Sequence, residues 1–209
     1  MLILWLLLQT SSGRILFSGH NGQKGGGVCV WYSDDGGKTY QTSKQGIFTG
    51  NEQAIADLGN GTLYMNGRGT SFAFKGHRAS YWSPDYGATW SAGAEARDLP
   101  EPNSFGCDGS LIAVPNKGSS AGAHRPPRVF FAEPAGPSER ISLRVWCSTD
   151  GGRSFSAYTG LNKGDGAGYS ALEYVHDAAT NAPVLVVVWE GSVSAKSDPC
   201  CDLPEVCLK

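Results

Sequence analysis

The stretch Ser83-Pro84-Asp85-Tyr86-Gly87-Ala88-Thr89-Trp90 decides the fold, because its pattern Ser-x-Asp-x-Gly-x-Thr/Ser-aromatic occurs three times. The earlier copy is Ser33, Asp35, Gly37, Thr39 and Tyr40, and the later one is Ser148, Asp150, Gly152, Ser154 and Phe155. Each residue type has a reason to be there. An Asp side chain accepts backbone N–H bonds inside a turn, and Gly tolerates a positive φ that other residues resist. The Ser and Thr hydroxyls add local bonds, and the terminal aromatic is expected to plug into the core between neighbouring sheets. One such turn is common in proteins; three, each after an apolar run, point to a repeat architecture.

The flanking sequence is β-rich. Strands are expected at Arg14–Ser18, Val28–Ser33, Thr62–Asn66, Ala79–Ser83, Arg128–Ala132, Ser142–Ser148, Ser170–Val175 and Val184–Glu190, from their β-branched and aromatic content and partial alternation. No segment sustains a helical period. The opening run MLILWLLLQ lacks a basic leader and a small-residue cleavage site, so it is read as a buried strand and not as a targeting segment. It is also too short to span a membrane. Asn60-Gly61-Thr62 fits a glycosylation acceptor and, equally, a hairpin turn; the turn reading is preferred. Residues 116–127 are expected to form a surface loop.

Composition narrows the partners. Charged residues make up 17% of the 209, the net charge is -2, and there are 29 Gly, 6 Trp, 8 Tyr and 8 Phe. No basic stripe is available to neutralise phosphates, so no nucleic-acid partner is expected. The six cysteines show no metal spacing, and those near the end (Cys200, Cys201 and Cys207) are compatible with either a disulfide or free thiols.

The threefold motif is identified as the Asp-box, and the chain resembles the sialidase (neuraminidase) superfamily from about Ser12 to Glu190. The resemblance implies an all-β fold, a β-propeller of the sialidase type. That propeller is six-bladed in the family, and here it is expected as a partial ring of about three to four four-stranded blades. Residues 1–192 are expected to form it, with residues 193–209 as an irregular Cys-containing tail. In that family the boxes lie away from the site, so Ser33, Asp35, Gly37, Thr39, Ser83, Asp85, Gly87, Thr89, Ser148, Asp150, Gly152 and Ser154 are structural.

Function rests on other matches. Asn51-Glu52-Gln53 and the run from Asp57 to Arg68 are similar to a family stretch that supplies a catalytic base, here Glu52, and a substrate-carboxylate arginine, here Arg68. Gly106-Cys107-Asp108-Gly109-Ser110 resembles a scaffold segment with Gln at the Asp108 position, so Asp108 is assigned no role. Arg140, before the third box, matches a second carboxylate-binding arginine, with Arg144 as runner-up. Tyr169 matches the catalytic tyrosine, and Glu190 is read as support that orients a clamp arginine.

The implied activity is exo-α-sialidase hydrolysis of terminal sialic acids on glycans, glycoproteins or glycolipids, with retention and a Tyr nucleophile. The alternatives are a non-catalytic sialic-acid- or protein-binding propeller and a glycosidase of other specificity. No cofactor and no metal are called for. A secreted or endomembrane setting is preferred to a cytoplasmic one. The sequence departs from the family at its start: the Phe/Tyr-Arg-Ile-Pro strand with its first clamp arginine, and the general-acid aspartate after it, have no counterpart. Loss of such an acid slows leaving-group protonation by about 10²–10⁴-fold.

Overall fold

The computed structural model describes residues 3–20, 28–44, 52–69, 74, 76–102, 106–116, 126–192 and 205–208. Fifteen strands occur among them, in four antiparallel sheets that follow chain order. The first sheet holds β1 (Ile3–Gln9), β2 (Ile15–His20), β3 (Val28–Ser33) and β4 (Gln41–Thr42). The second holds β5 (Gln53–Gly59), β6 (Thr62–Gly67), β7 (His77–Ser83) and β8 (Ala94–Pro100). The third holds β9 (Ser110–Val114), β10 (Arg128–Pro134), β11 (Leu143–Ser148) and β12 (Ser156–Gly160). The fourth holds β13 (Gly166–His176), β14 (Pro183–Ser192) and β15 (Glu205–Leu208). Each sheet meets the next through its first strand, β1 on β5, β5 on β9 and β9 on β13. This is the arrangement of blades around an axis in a partial propeller ring.

Period-two alternation distributes side chains to the two faces of each sheet. On β6, Leu63 and Met65 join a core shared with Leu16, Val30 and Tyr32 of the first sheet. Their neighbour Tyr64 points the other way, into a core with Val129, Phe131, Trp146 and Phe155 of the third. On β10 the same switch sends Phe130 and Ala132 toward Val187 and Trp189 of the fourth. Sheets buried on both faces need apolar residues at odd and even positions alike, which is why these strands read as near-continuous apolar runs.

The expected strands are all present, and Ile3–Gln9 of the opening run forms one, β1. Its burial is partial, however: Leu7 is 67% exposed while Leu8 packs on the first core. Strands β8 and β12, which carry few large apolar residues, lie at the outer edges of their sheets and depend on ladder bonds to β7 and β11. The tail is not wholly irregular, since β15 pairs with β14. Residues 193–204, with Cys200 and Cys201, lie outside the described residues. Cys29, Cys107 and Cys147 are free thiols. Asn60 and Gly61 form the two-residue β5–β6 hairpin loop, with φ values of 52° and 84°. Both are left-handed, as a type I′ turn requires. No helix is long and apolar enough to cross a membrane among the described residues.

Candidate functional site

Strand direction sorts the molecule into two ends. β7 and β11 run away from the starts of β5 and β13 and finish at Ser83 and Ser148, where the second and third Asp-boxes begin. The first box follows β3 in the same way. All three turns are built alike. In the first, Ser33 Oγ donates to Asp35 Oδ1 at 2.8 Å and accepts Gly37 N–H at 2.8 Å, while Asp35 takes Thr39 N–H at 2.9 Å and Thr39 Oγ1 at 2.7 Å. Ser83, Asp85, Gly87 and Thr89 repeat this, as do Ser148, Asp150, Gly152 and Ser154. The donated bonds hold Asp35 down at about 2, the Thr39 hydroxyl contributing most.

Two of the three box aromatics are buried as expected, Trp90 and Phe155. Tyr40 is not: it is 46% exposed and meets Phe17 edge-on at 5.1 Å. The difference has a cause in the packing. The second box docks on the first sheet, where Gly87 sits against Leu16, and the third docks on the second sheet, where a Cβ on Gly152 would lie 2.7 Å from the Tyr64 ring. No preceding sheet lies against the first box among the described residues.

The opposite end collects the remaining predicted residues. Glu52 and Arg68 flank the β5–β6 hairpin, and Arg68 N–H donates to Glu52 O at 2.8 Å, extending the ladder by one pair. Glu52 is 2% exposed and both of its carboxylate oxygens are engaged. Arg68 Nη1 donates to Oε2 at 2.5 Å, and Tyr169 Oη donates to Oε1 at 2.8 Å. Tyr169 reaches Glu52 because β13 carries a register shift between Ala167 and Ser170. Such a bulge re-aims one side chain.

Glu190, read from the sequence as orienting a clamp arginine, accepts Tyr169 N–H at 3.1 Å, so its support goes to the tyrosine. A Cβ at Gly168 would stand 2.5 Å from the Glu190 carboxylate, which explains glycine there. Arg140 lies in the turn before β11, its carbonyl bound by Ala167 N–H at 2.8 Å. Arg140 is exposed as a residue, and its guanidinium sits 5.7 Å from the Tyr169 ring centroid and donates to Gly106 O at 3.1 Å. Arg144, the runner-up, lies instead over Trp146 on β11. The four residues Glu52, Arg68, Arg140 and Tyr169 therefore share one neighbourhood at the end opposite the boxes.

Burial and the adjacent Glu52 hydrogen bond and charge raise Tyr169 to about 12, so the phenol holds its proton at neutral pH. For Arg68, burial works against the charge, but the charge of Glu52 and its hydrogen bond outweigh it and the net shift is upward.

Several polar residues at this end escaped the sequence reading. Arg78 is fully buried and donates to Glu101 Oε1 at 3.0 Å, Cys107 O at 2.8 Å, Glu133 Oε2 at 3.4 Å and the Asn66 side chain. The available signal was a charge inside an apolar strand, as in Phe130-Phe131-Ala132-Glu133. Beside them a cavity of about 260 Å³ is lined by Gln53, Asp108, Ser110 and Ser170. Asp108 is raised to about 6, first by burial and then by the charge of Glu52, against the opposing pull of Arg78.

Comparisons with known proteins agree with this architecture. No curated protein matches the sequence. Among solved structures, the NanB sialidase of Streptococcus pneumoniae superposes with a TM-score of 0.69 at 22% identity, covering 90% of this chain and 28% of that one. A leech intramolecular trans-sialidase complexed with 2,7-anhydro-Neu5Ac gives 0.68 at 19% identity, covering 94% and 29%. Trypanosoma rangeli sialidase in complex with the inhibitor DANA gives 0.65 at 21% identity, covering 88% and 28%. The chain thus has the sialidase-type propeller fold and spans under a third of the length of these enzymes. The model of the BNR repeat-like domain matches residues 3–181, and the chain, with its three box turns, belongs to that family.

Proposed function

We propose that this chain carries the catalytic side of an exo-α-sialidase site, acting on terminal sialic acids of glycans, glycoproteins or glycolipids. The observation that carries this reading is the hydrogen bond from Tyr169 Oη to Glu52 Oε1 at 2.8 Å, with Arg68 locked on the other oxygen at 2.5 Å. A sialoside bears its carboxylate on the anomeric carbon, so an anionic Asp or Glu nucleophile would approach against like charge. A neutral tyrosine avoids that repulsion, and sialidases are for this reason outside the two-carboxylate scheme of retaining glycosidases.

Tyr169, holding its proton at neutral pH, needs a base at the moment of attack. Glu52 receives that proton on Oε1 as the tyrosine oxygen bonds to the anomeric carbon and the bond to the aglycone oxygen breaks, the departing oxygen taking its proton from solvent water. Water then attacks the anomeric carbon and gives its proton to solvent, while the bond to the tyrosine oxygen breaks and Glu52 returns its proton to Tyr169; two inversions retain configuration. Arg68 and Arg140 provide guanidinium forks for the substrate carboxylate, a planar match that lysine lacks. Glu52 fixes the Arg68 fork, and Arg140, exposed beside the Tyr169 ring, is open to ligand.

The second reading is a sialic-acid-binding propeller without turnover, since Arg68 and Arg140 beside Tyr169 would hold a ligand carboxylate whether or not chemistry follows. Hydrolysis of a fluorogenic sialoside by the full chain separates the two. Turnover that falls about 10³-fold or more in Tyr169→Phe, with unchanged melting temperature, supports the enzyme. Binding of a 2,3-dehydrated sialic-acid analogue without turnover supports the binding propeller. Absence of both sinks the sialic-acid reading altogether.

A further inference from the structure

The two arginines assigned to the substrate carboxylate come from different sheets, and something must hold them in register. Arg68 continues directly into Gly69, whose N–H donates to Glu101 Oε1 at 2.8 Å. Arg140 is anchored through Gly106 O, and the next residue, Cys107, donates its N–H to Glu101 Oε2 at 2.9 Å. One buried carboxylate thus grips the backbone beside each arginine. Its charge is met by Arg78, which touches Oε1 at 3.0 Å and also holds Cys107 O at 2.8 Å. Gly106 is glycine for the same reason: at φ 63°, a Cβ there would collide with Glu101 Oε2 and lie 3.0 Å from Arg68 Cγ.

We propose that Glu101 is a positioning residue that sets the spacing of Arg68 and Arg140 for a ligand carboxylate; this rests on the sialic-acid reading of the site. The chemistry singles out Glu over its amide. Glu101 faces two backbone N–H groups, one on each oxygen, and a glutamine would turn an NH₂ donor toward one of them. One of the two segments would then be released without any change in side-chain volume. Glu133 is the matched control: it is also buried and also touches Arg78, at 3.4 Å and on the same Nη1 as Glu101, but through Oε2 alone. Its contacts do not include the backbone at Gly69 or Cys107.

The test measures dissociation constants of the full chain for the 2,3-dehydrated sialic-acid analogue and for its methyl ester, which keeps the sugar and loses the charge. Glu101→Gln is expected to weaken the acid by about tenfold or more, the scale of a small misplacement at a site, while the ester changes less than about twofold. Glu133→Gln should keep the wild-type preference for acid over ester even if its melting temperature falls. Should Glu101→Gln fail to fold, Gly106→Ala pushes on the same joint and is expected to lose the same preference. An acid-to-ester preference that survives both variants, or that shifts equally in Glu133→Gln, overturns the assignment of Glu101 alone. A wild-type chain that binds neither ligand overturns the sialic-acid reading, and this proposal with it.

Discussion

The two ends of these sheets use carboxylates in opposite ways. At the box end, Asp35, Asp85 and Asp150 bond to partners within four residues, and their pKa values are lowered. At the site end, Glu52 bonds to Tyr169 across 117 residues, Glu101 reaches back 32 residues to Gly69, and Asp108 is raised to about 6. Local saturation makes the first group cheap to form and indifferent to the rest of the fold. The second group is desolvated and depends on separate sheets arriving together, so each charge is stabilised only in the assembled state. Stability is built into one end, and the strained electrostatics that suit chemistry are confined to the other.

Removing one carboxylate from each end breaks the comparison most directly. Glu52→Ala leaves Arg68 buried without its main counter-charge and is expected to cost about 3–5 kcal/mol, read by chemical denaturation. In the same variant the Tyr169 phenol should titrate below 12, because burial, the largest cause of its raised value, remains while the hydrogen bond and charge of Glu52 are lost; ultraviolet difference titration reports this. Asp150→Ala, at the box end, loses bonds of helix-cap type and is expected to cost about 1 kcal/mol. Analogue binding by that variant should stay within about twofold of wild type, and a larger loss would show that the two ends are energetically linked.

The smallest effect lies in pH. Asp35 titrates lower folded than unfolded, so its contribution is present above 3.8 and is lost as pH falls toward about 2. Asp108 behaves in reverse. Its folded carboxyl keeps a proton up to about 6 while the unfolded one ionises near 3.8, so stability falls as pH rises between those values. Melting temperature followed from pH 3.5 to 7 should lose that declining component in Asp108→Asn. An unchanged profile would remove Asp108 from the charged environment of Glu52.

The same contrast explains what could be foreseen from the sequence. Box turns are legible because every bond closes within one short motif, and strands such as Arg128–Ala132 are legible because their burial on both faces demands apolar residues. Glu52, Arg68, Arg140 and Tyr169 stood out through family resemblance, since a lone Glu or Tyr on a turn carries no local mark of its partner. Asp108 was noticed but given no role, and Glu101 and Arg78 were passed over, for the converse reason: their meaning lies in contacts between sheets. The outer strands β8 and β12 were missed because a partly exposed edge strand needs little apolar content. Tyr40 was misjudged because a plug needs a socket, and the socket belongs to another sheet.

That dependence of each box on the sheet before it has a mechanical consequence. Arg14 of the first sheet donates to the carbonyls of Asp85 and Tyr86 at 3.3 and 3.1 Å, and Trp82 Nε1 of the second donates to Gly151 O at 2.8 Å. Every such joint couples one blade to its immediate predecessor. Unfolding should therefore spread as it does in a linear array, with each blade's protection against hydrogen exchange inherited from its neighbour. A lesion at the Arg14 joint would loosen the first blade's grip on the second while the joint at Trp82 still held, and the order in which amides begin to exchange would trace the sequence of these couplings along the chain.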